Sequence, residues 1–325
     1  MTTGKPRVLA TRHFPTAVEA RLAANFDAVL NPEDRIYDGT ALIEAAKGCD
    51  AIMCAAGDAL NAATVAGLPA SVRMIATFSV GYEHVDVAAA AKRGIIVSNT
   101  PDVLTDATAD IAMLCLLGAA RRAHEGIDML RTHSWTGWTP TQLMGVHVTG
   151  KRLGILGMGR IGQALAERAR AFRMQIHYSN RSRLPADLER GAVFHAEPDA
   201  MLPHCDFLSI NAPMTAATRK WVNAERIAKL PKGAIVVNTA RGGVVDDEAL
   251  IAALKGGHLA AAGIDVFDGE PRIHQGYYGL TNAFLLPHMG SATVETRNAM
   301  GFKALDNLEA FLLRKQAPPD LVKAS

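Results

Sequence analysis

The sequence of 325 residues lacks long apolar runs and an excess of charge of one sign. Its longest strongly apolar stretch, residues 111–120, is far shorter than the roughly 18 residues needed to cross a bilayer, and the first residues lack the apolar core of a signal peptide. The net charge of +2 gives no electrostatic reason to expect nucleic acid or an anionic membrane as a partner. These absences favour a cytoplasmic globular protein.

Cysteine is also scarce, and the four cysteines are scattered through apolar segments, at Cys49, Cys54, Cys115 and Cys205. They are not spaced as metal ligands, and a chain of this length does not depend on a disulfide framework. We therefore expect buried thiols in a reducing compartment, with no disulfide and no metal site.

What the sequence does contain is a regular alternation of short apolar runs with segments of helical period. Runs such as those within 50–55 and 234–239 are apolar on both faces, which is typical of strands in parallel sheets covered by helices on both faces. About five such runs precede residue 100 and about six follow residue 150. Because the chain is too long for one ordinary core, the sequence predicts an α/β fold with two doubly wound parallel-sheet domains.

Two helices bear on how these domains are connected. The helix predicted from Thr105 and Asp106 is apolar all round as far as Leu117, which predicts burial and a contact with a second subunit, with a wholly internal helix as the alternative. The last helix is predicted to begin after a Ser291 cap and to return to the first domain, which would then be discontinuous.

A glycine loop follows an apolar strand and opens a helix, with Gly157, Gly159 and Gly162 spaced as G-x-G-x-x-G. This spacing allows a tight turn, a close backbone approach to a pyrophosphate and close packing of helix on strand. The phosphates would meet the free N–H groups at the helix amino terminus. The motif predicts a dinucleotide-binding unit.

The end of the next strand indicates which dinucleotide. No acidic residue occurs from 178 to 185, where a carboxylate would bind a ribose 2′-hydroxyl, and Asn180, Arg181, Ser182 and Arg183 stand there instead. Arginine and hydroxyl groups bind a 2′-phosphate well, so NADP(H) is expected in preference to NAD(H). The alternative is that these arginines belong to a solvated loop.

Three later loops, each following a predicted strand, supply the groups that reduction of a keto acid requires. Arg241 is a cation for the carboxylate, His288 a proton donor, and Glu270 a partner for the histidine. In an open parallel sheet, ligands bind beyond the carboxyl ends of the strands. We therefore expect all three side chains at one edge of the second sheet.

Taken in order, these motifs resemble those of the D-isomer-specific 2-hydroxyacid dehydrogenases. The matching stretches extend over nearly the whole chain: "SVGYEHVDV", "NTPDVLTDATAD", "GMGRIG", "VNTARGGVVDDEAL", "GIDVFDGEP" and "PHMGSAT". The resemblance implies a flavodoxin-like substrate domain formed by residues 1–100 and 289–325. It also implies a Rossmann NAD(P)-binding domain over residues 101–288, and a homodimer.

The resemblance implies roles for individual residues as well. Arg241 would bind the substrate carboxylate and keto oxygen, His288 would donate the proton in reduction, and Glu270 would hydrogen-bond His288 and stabilise its charged form. The backbone N–H groups of Val80 and Gly81 would also hold the substrate carboxylate. The implied cofactor contacts are Thr108, Gly157, Met158, Gly159, Arg160, Ile161, Gly162, Asn180, Arg181, Ser182, Asn211, Ala212, Pro213, Thr218, Thr239, Ala240, Arg241, Asp265, His288 and Gly290.

Within the family, "WTGWTP", "HYSNRSR" and "DVLTDATAD" are most similar to glyoxylate and hydroxypyruvate reductases. The small residues of "CAAGDA" either leave room for hydroxypyruvate or a larger 2-keto acid, or serve close packing of the chain. Trp135 and Trp138 either pack in the core or cap the active site of a neighbouring subunit. Two alternative functions stay open: another 2-hydroxyacid specificity of the family, and a dinucleotide-sensing corepressor, whose additional partner-binding segments we do not find in this chain.

Overall fold

The computed structural model describes residues 4–323, which form two compact units. The first unit extends to Leu104 and resumes at Ala292, and the second runs from Thr105 to Ser291. Each unit contains its own β-sheet, and all pairs of named strands are parallel. The α/β class with two doubly wound parallel sheets, predicted from the alternating pattern, is confirmed.

The first unit contains a five-stranded sheet with the strand order β2-β1-β3-β4-β5, which is the flavodoxin-like order. Its elements are β1 (Arg7–Ala10), α1 (Thr16–Asn25), β2 (Asp27–Val29), α2 (Gly39–Ala45), β3 (Ala51–Ala55), α3 (Ala62–Gly67), β4 (Met74–Phe78), α4 (Val87–Lys92), β5 (Ile96–Ser98) and the last helix, α12 (Val294–Leu312). Leu305, Leu308 and Leu312 of α12 are buried in a cluster with residues of α1 and β4, so the end of the chain completes this core.

The second unit contains a seven-stranded sheet with the strand order β12-β11-β10-β9-β6-β7-β8. Its elements are α5 (Thr105–Ala120), α6 (Ala123–Arg131), β6 (Arg152–Leu156), α7 (Arg160–Ala171), β7 (Gln175–Ser179), α8 (Ala186–Glu189), β8 (Val193–Phe194), α9 (Pro198–Met201), β9 (Phe207–Ile210), α10 (Ala224–Lys229), β10 (Ala234–Asn238), α11 (Asp247–Lys255), β11 (Leu259–Ile264) and β12 (Ala283–Leu285). The strand order reverses between β6 and β9, which is where a doubly wound sheet binds its ligand.

Central strands such as β4 and β10 are buried along their whole length, because helices cover both faces of each sheet. The edge strands β2 and β8 were not expected at these positions from the sequence. They have only three and two residues and stay partly exposed, so no apolar run marks them.

The two helices that connect the units differ in detail from expectation. Ten of the sixteen residues of α5 are buried, and the helix packs against α7, β10 and β11 of its own unit, so much of its apolar surface is internal. The cap of α12 is Thr293, whose hydroxyl accepts the Thr296 N–H at 3.0 Å. The predicted Ser291 cap is therefore wrong, because the helix begins at Val294.

The division between units falls a few residues later than the boundaries expected from sequence. One reason is that α5 begins only at Thr105, and another is that Met289 and Gly290 are hydrogen-bonded to a buried carboxylate of the second unit. All four cysteines are buried and free, as their placement predicted. Over residues 4–323, no helix combines the length and hydrophobicity needed to traverse a bilayer.

Candidate active site

Three loops converge at the carboxyl edge of the second sheet. Arg241 follows β10, Glu270 follows β11 and His288 follows β12, and these three strands are neighbours in the order β12-β11-β10. Parallel pairing brings their carboxyl ends to one edge, so residues 29 and 18 positions apart in sequence become neighbours in space. The sheet therefore gathers a cation, a carboxylate and an imidazole.

The imidazole and the carboxylate form a hydrogen-bonded pair. Nδ1 of His288 donates to Oε2 of Glu270 at 2.7 Å, and the backbone N–H of Phe267 donates to Oε1 at 2.7 Å. Burial acts to raise the pKa of Glu270, but the His288 and Phe267 hydrogen bonds outweigh it, and the pKa lies below its usual value. The ionised carboxylate thus fixes the tautomer of the ring and leaves Nε2 for proton exchange.

The loop that carries His288 is held by one buried residue, Asp265. The Asp265 carboxylate accepts the backbone N–H groups of Met289 at 2.6 Å and Gly290 at 2.8 Å, and its carbonyl accepts the N–H of His288 at 2.9 Å. His288 itself adopts a left-handed φ of 54°, which costs a non-glycine residue energy and persists only when its surroundings impose it. Asp265 supplies that constraint. The contact of Asp265 with the cofactor, which the family resemblance implies, stays a prediction.

The Arg241 loop is braced from β10. Nδ2 of Asn238 donates to the Arg241 carbonyl at 3.0 Å, and the Ala240 N–H donates to Oδ1 of Asn238 at 3.0 Å. Gly242 follows, and a Cβ there would overlap the backbone of Phe267, so only glycine fits. The positive charge of Arg241 also helps to lower the pKa of Glu270. The guanidinium therefore acts electrostatically on the His288–Glu270 pair.

The glycine loop has the shape that a pyrophosphate requires. Gly157 has a φ of 94°, and a Cβ on it would lie 2.7 Å from the backbone nitrogen of Ala212. A Cβ on Gly162 would collide with the Gly157 carbonyl, whereas one on Gly159 would meet nothing within 4 Å. The space at Gly159 lies against the amino terminus of α7, where Arg160 begins the helix. The loop thus fits a dinucleotide phosphate at this terminus.

Buried polar atoms at the same edge provide a second test of fit. Among the described residues, Oδ1 of Asn211 and Oγ1 of Thr239 are buried without a hydrogen-bond partner. Asn211 follows β9 and Thr239 follows β10, one on each of two neighbouring strands. Buried polar atoms normally have partners, so a ligand with donors and acceptors suits both positions.

At the end of β7, two side chains considered for binding the 2′-phosphate, Asn180 and Arg183, form hydrogen bonds within the protein. Oδ1 of Asn180 accepts the backbone N–H of Met158 at 2.6 Å, so Asn180 ties the strand end to the glycine loop. Arg181 and Ser182 follow and are exposed. Arg183 is committed to Glu189, with Nε at 2.8 Å from Oε1 and Nη2 at 3.0 Å from Oε2. Arg181 and Ser182 are thus exposed after the end of β7, and their contact with an adenosine ribose stays a prediction.

The remaining predicted cofactor residues line the same edge. Thr108 of α5 donates to the carbonyl of Gly290 at 3.2 Å, and Thr218 donates to the carbonyl of Pro213 at 2.7 Å, which closes the turn after β9. Ile161 lies in the first turn of α7. These residues shape the loops, and their contacts with a cofactor stay predictions.

The substrate residues predicted in the first unit lie after β4. The Val80 carbonyl accepts Nδ2 of Asn99 at 2.8 Å, and the Gly81 carbonyl accepts Oγ of Ser79 at 2.6 Å. The Val80 carbonyl shares its peptide plane with the Gly81 N–H, so its hydrogen bond fixes the direction of that N–H. The Ser79 carbonyl accepts the Thr100 N–H at 2.9 Å, which fixes the direction of the Val80 N–H in the same way. The assignment of Val80 and Gly81 to substrate binding rests on the family resemblance.

Two of the alternatives left open by the sequence can be compared with the structure. Ala56 and Gly57 are exposed, and a Cβ on Gly57 would meet nothing within 4 Å, so close packing does not account for the small residues there. Trp135 and Trp138 are 51% and 79% exposed, so neither packs in the core of this chain.

Sequence reasoning missed three supporting residues: Asn238, Tyr178 and Glu189. Asn238 lies inside the "VNTARGG" motif and was read as part of a strand. Tyr178 is fully buried at the end of β7, and its hydroxyl donates to Oε1 of Glu189 at 2.6 Å. No motif marks this pair, since a tyrosine in an apolar strand and a glutamate in a short helix are ordinary.

Comparisons with known proteins agree with this geometry. Residues 113–290 match the model of the D-isomer specific 2-hydroxyacid dehydrogenase NAD binding domain. A glycerate dehydrogenase from Hyphomicrobium methylovorum is 45% identical, over 94% of this chain and 96% of its own. A glyoxylate reductase from Thermococcus kodakarensis is 41% identical, over 98% and 96%.

Solved structures agree as well. A D-isomer specific 2-hydroxyacid dehydrogenase structure from Polaromonas superposes with a TM-score of 0.94 at 45% identity, covering 98% of this chain and all of its own. An NADPH-dependent glyoxylate/hydroxypyruvate reductase from Sinorhizobium meliloti, in complex with NADP and malonate, has a TM-score of 0.87 at 34% identity. It covers 99% of this chain and all of its own.

Proposed function

The chain belongs to the D-isomer specific 2-hydroxyacid dehydrogenases, and we propose that it reduces glyoxylate and hydroxypyruvate to the D-2-hydroxy acids with NADPH as the preferred cofactor. Membership makes it an enzyme of the 2-hydroxyacid dehydrogenase type that uses a nicotinamide dinucleotide. The observation that carries the proposed mechanism is the 2.7 Å hydrogen bond between His288 and Glu270 at the carboxyl edge of the sheet.

The proposed reaction follows from that pair and from Arg241. When bound, the reduced nicotinamide supplies the hydride. Arg241 binds the substrate carboxylate and polarises the keto oxygen, which develops negative charge as the carbonyl carbon is reduced. Nε2 of the protonated His288 donates its proton to that oxygen, and Glu270 stabilises the imidazolium before the transfer. In the oxidative direction, the neutral ring accepts the proton.

The proposed substrate range is supported by relatives of both kinds. A glycerate dehydrogenase and a glyoxylate reductase align along nearly the whole chain at similar identity. The small residues Ala56 and Gly57, which follow β3, are exposed, and we propose that they suit a substrate larger than glyoxylate. We assign cofactor binding to the second unit, which also contains Arg241 and His288.

Steady-state kinetics with a panel of 2-keto acids, each with NADPH and NADH, tests this proposal. We expect turnover of both glyoxylate and hydroxypyruvate, with a higher kcat/KM for NADPH than for NADH. Turnover confined to bulkier 2-keto acids would contradict the substrate assignment. Cofactor binding without turnover of any 2-keto acid would instead favour the dinucleotide-sensing alternative.

A homodimer is part of the same proposal, and it is supported by apolar surface on and after α6. All nine residues of α6 are at least partly exposed, and Ile127 and Leu130 are 45% and 62% exposed. Trp135 and Trp138, which follow α6 in the sequence, are exposed as well. Exposed apolar surface of this extent favours a protein contact, and a second copy would cover it.

Sedimentation velocity at micromolar concentration tests the dimer. The parent protein should sediment as a dimer, and Leu130→Asp should shift it toward monomer. Ile36→Asp is the matched control, because Ile36 is 76% exposed in the first unit, away from this surface in sequence. A monomeric parent protein would remove the proposal and any role for the tryptophans across subunits.

A further inference from the structure

The second unit contains a polar cluster that combines two residues of the "HYSNRSR" strand end with one residue outside the motifs. It consists of Tyr178, Arg183 and Glu189, and it joins the end of β7 to α8. Glu189 is only 6% exposed and Tyr178 is fully buried, although both carry polar or charged groups. Buried groups of this kind are retained where all their hydrogen bonds are satisfied.

Glu189 is the centre of the cluster. Its Oε1 accepts the Tyr178 hydroxyl at 2.6 Å and Nε of Arg183 at 2.8 Å, and its Oε2 accepts Nη2 of Arg183 at 3.0 Å. Its backbone carbonyl accepts Nη2 of Arg170, on α7, at 2.8 Å. The carboxylate is thus paired with one arginine in a two-point geometry, which restricts orientation as well as distance.

The Tyr178 hydroxyl has a second contact that closes the loop. It accepts the backbone N–H of Leu184 at 3.0 Å. At the other end of the loop, Asn180 accepts the Met158 N–H at 2.6 Å. Arg181 and Ser182 lie between these two fixed points, and both are exposed. A segment of three residues, 181–183, that is held at both ends has little freedom to change direction.

We propose that Tyr178 and Glu189 are positioning residues that hold Arg181 and Ser182 for contact with the ribose 2′-phosphate, and so set the discrimination between NADP(H) and NAD(H). This inference rests on the proposed preference for NADPH. Within this cluster Arg183 pairs with Glu189, and the phosphate is bound by Arg181 and Ser182. Tyr178 reaches the phosphate only through the loop, so it is not a catalytic residue.

Tyr178→Phe tests this positioning role, because the substitution removes the hydroxyl and both of its hydrogen bonds but keeps the buried ring. The chain offers a matched control in Tyr277, which is 1% exposed and donates to Oδ1 of Asp247 at 2.6 Å in the same unit. Tyr277→Phe loses an equivalent buried tyrosine–carboxylate bond far from the loop in sequence. A general loss of stability should therefore affect both variants alike.

Calorimetric titration of the full-length protein with adenosine 2′,5′-bisphosphate and with 5′-AMP gives a readout that does not depend on turnover. We expect Tyr178→Phe to bind the bisphosphate about three- to tenfold more weakly than the parent, with 5′-AMP affinity unchanged. Tyr277→Phe should match the parent for both ligands. Hydrogen exchange in the segment 181–184 should be faster in Tyr178→Phe, because Leu184 loses its acceptor.

Salt dependence separates positioning from direct contact. Bisphosphate affinity should fall with added NaCl in the parent and in Tyr178→Phe to the same degree, because both retain the Arg181 charge. In Arg181→Ala the fall should be shallower.

Equal bisphosphate affinity in Tyr178→Phe and the parent would overturn the positioning role while leaving the NADPH preference intact. A parent that binds the bisphosphate no better than 5′-AMP would show instead that the preference itself is wrong.

Discussion

The two ends of the second sheet hold their functional groups in different ways. At the β12 end, the backbone of the loop is fixed by Asp265, and His288 adopts a left-handed conformation. At the β7 end, the loop is fixed by side chains around Glu189, and Arg181 and Ser182 are exposed. A buried carboxylate is central at both ends, but the Asp265 carboxylate binds backbone N–H groups, whereas the Glu189 carboxylate binds the side chains of Tyr178 and Arg183.

The largest effect should come from the β12 end, with His288→Ala. The turnover number should fall by about 10²–10⁴-fold, while the dissociation constant for NADPH changes little, because a general acid acts in the transition state. Stopped-flow and binding measurements on the same protein separate the two quantities.

His13→Ala is the matched control for this variant. His13 is also paired with a glutamate, Glu19, at 3.0 Å, and its side chain is 51% exposed against 47% for His288. It lies in the first unit and should keep parental turnover. Near-normal turnover in the His288 variant would contradict the mechanism.

At the β7 end, the expected effect is on cofactor choice. The parent should prefer NADPH over NADH by at least about tenfold in kcat/KM, since a hydrogen bond to a charged group contributes roughly 1.5–3 kcal/mol, or about 10- to 150-fold. In Arg181→Ala this preference should decrease, mainly because kcat/KM with NADPH falls. Asn180→Asp should lower it further, because it keeps the acceptor for the Met158 N–H and adds a charge that repels the phosphate.

Arg190→Ala is the control for the lost charge. Arg190 is an exposed arginine in the same unit, and its nearest ion-pair partner is Glu167 at 3.5 Å. If the parent uses NADH and NADPH equally well, the arginines after β7 belong to a solvated loop, as the alternative sequence interpretation held.

The contrast between the two ends also explains what the sequence could predict. Arg241, Glu270 and His288 each follow a recognisable apolar strand, so parallel topology alone places them at one edge. The part played by Asp265 was not predicted, because its contacts are to backbone N–H groups of a loop 24 and 25 residues later. The spacing of motifs does not show which carboxylate will accept hydrogen bonds from the backbone of a distant loop.

The β7 end was predicted less completely for a related reason. The absence of an acid from 178 to 185 is a local signal and could be read directly. The pairing of Arg183 with Glu189 depends on how α8 packs against the strand. Likewise, β8 is two residues long and partly exposed, so neither its existence nor its pairing with β7 has a pattern in the sequence.

A smaller effect at the β12 end should appear in the pH dependence of the reaction. The lowered pKa of Glu270 keeps this carboxylate ionised near neutral pH, where it stabilises the imidazolium form of His288. In Glu270→Gln the amide oxygen can still accept from the ring, but the charge is lost. The pH at which the reduction rate declines should therefore move lower.

The pH–rate profile of keto-acid reduction measures this shift, and the oxidation profile should move in the same direction, since one ionisation serves both. An unchanged profile would mean that Glu270 acts only in orienting the ring. A loss of rate at every pH without a shift would point to the same conclusion.

The smallest effect should be on the free energy of unfolding, through a histidine cluster at the β7 edge of the sheet. His177 of β7 and His195, after β8, lie with Nδ1 and Nε2 at 3.0 Å, and His204 stacks against both rings. Burial and the neighbouring histidines lower the pKa of His177, Arg152 adds to that, and Asp206 opposes it; burial and His204 lower the pKa of His195.

Because the unfolded chain binds these protons more readily than the folded protein, stability should fall as the pH drops below the ordinary histidine pKa of 6.5. It should be fully present above that pH. Urea unfolding at pH 7.5 and pH 5.5 measures the difference, and His195→Gln should reduce it by removing one of the protons taken up on unfolding. His258→Gln is the control, because His258 lies outside the cluster and pairs with the Ile227 carbonyl at 2.9 Å. Parental acid sensitivity in the His195 variant would show that the histidine cluster does not govern the stability of this edge, and the comparison between the two ends would then rest on the Glu189 cluster alone.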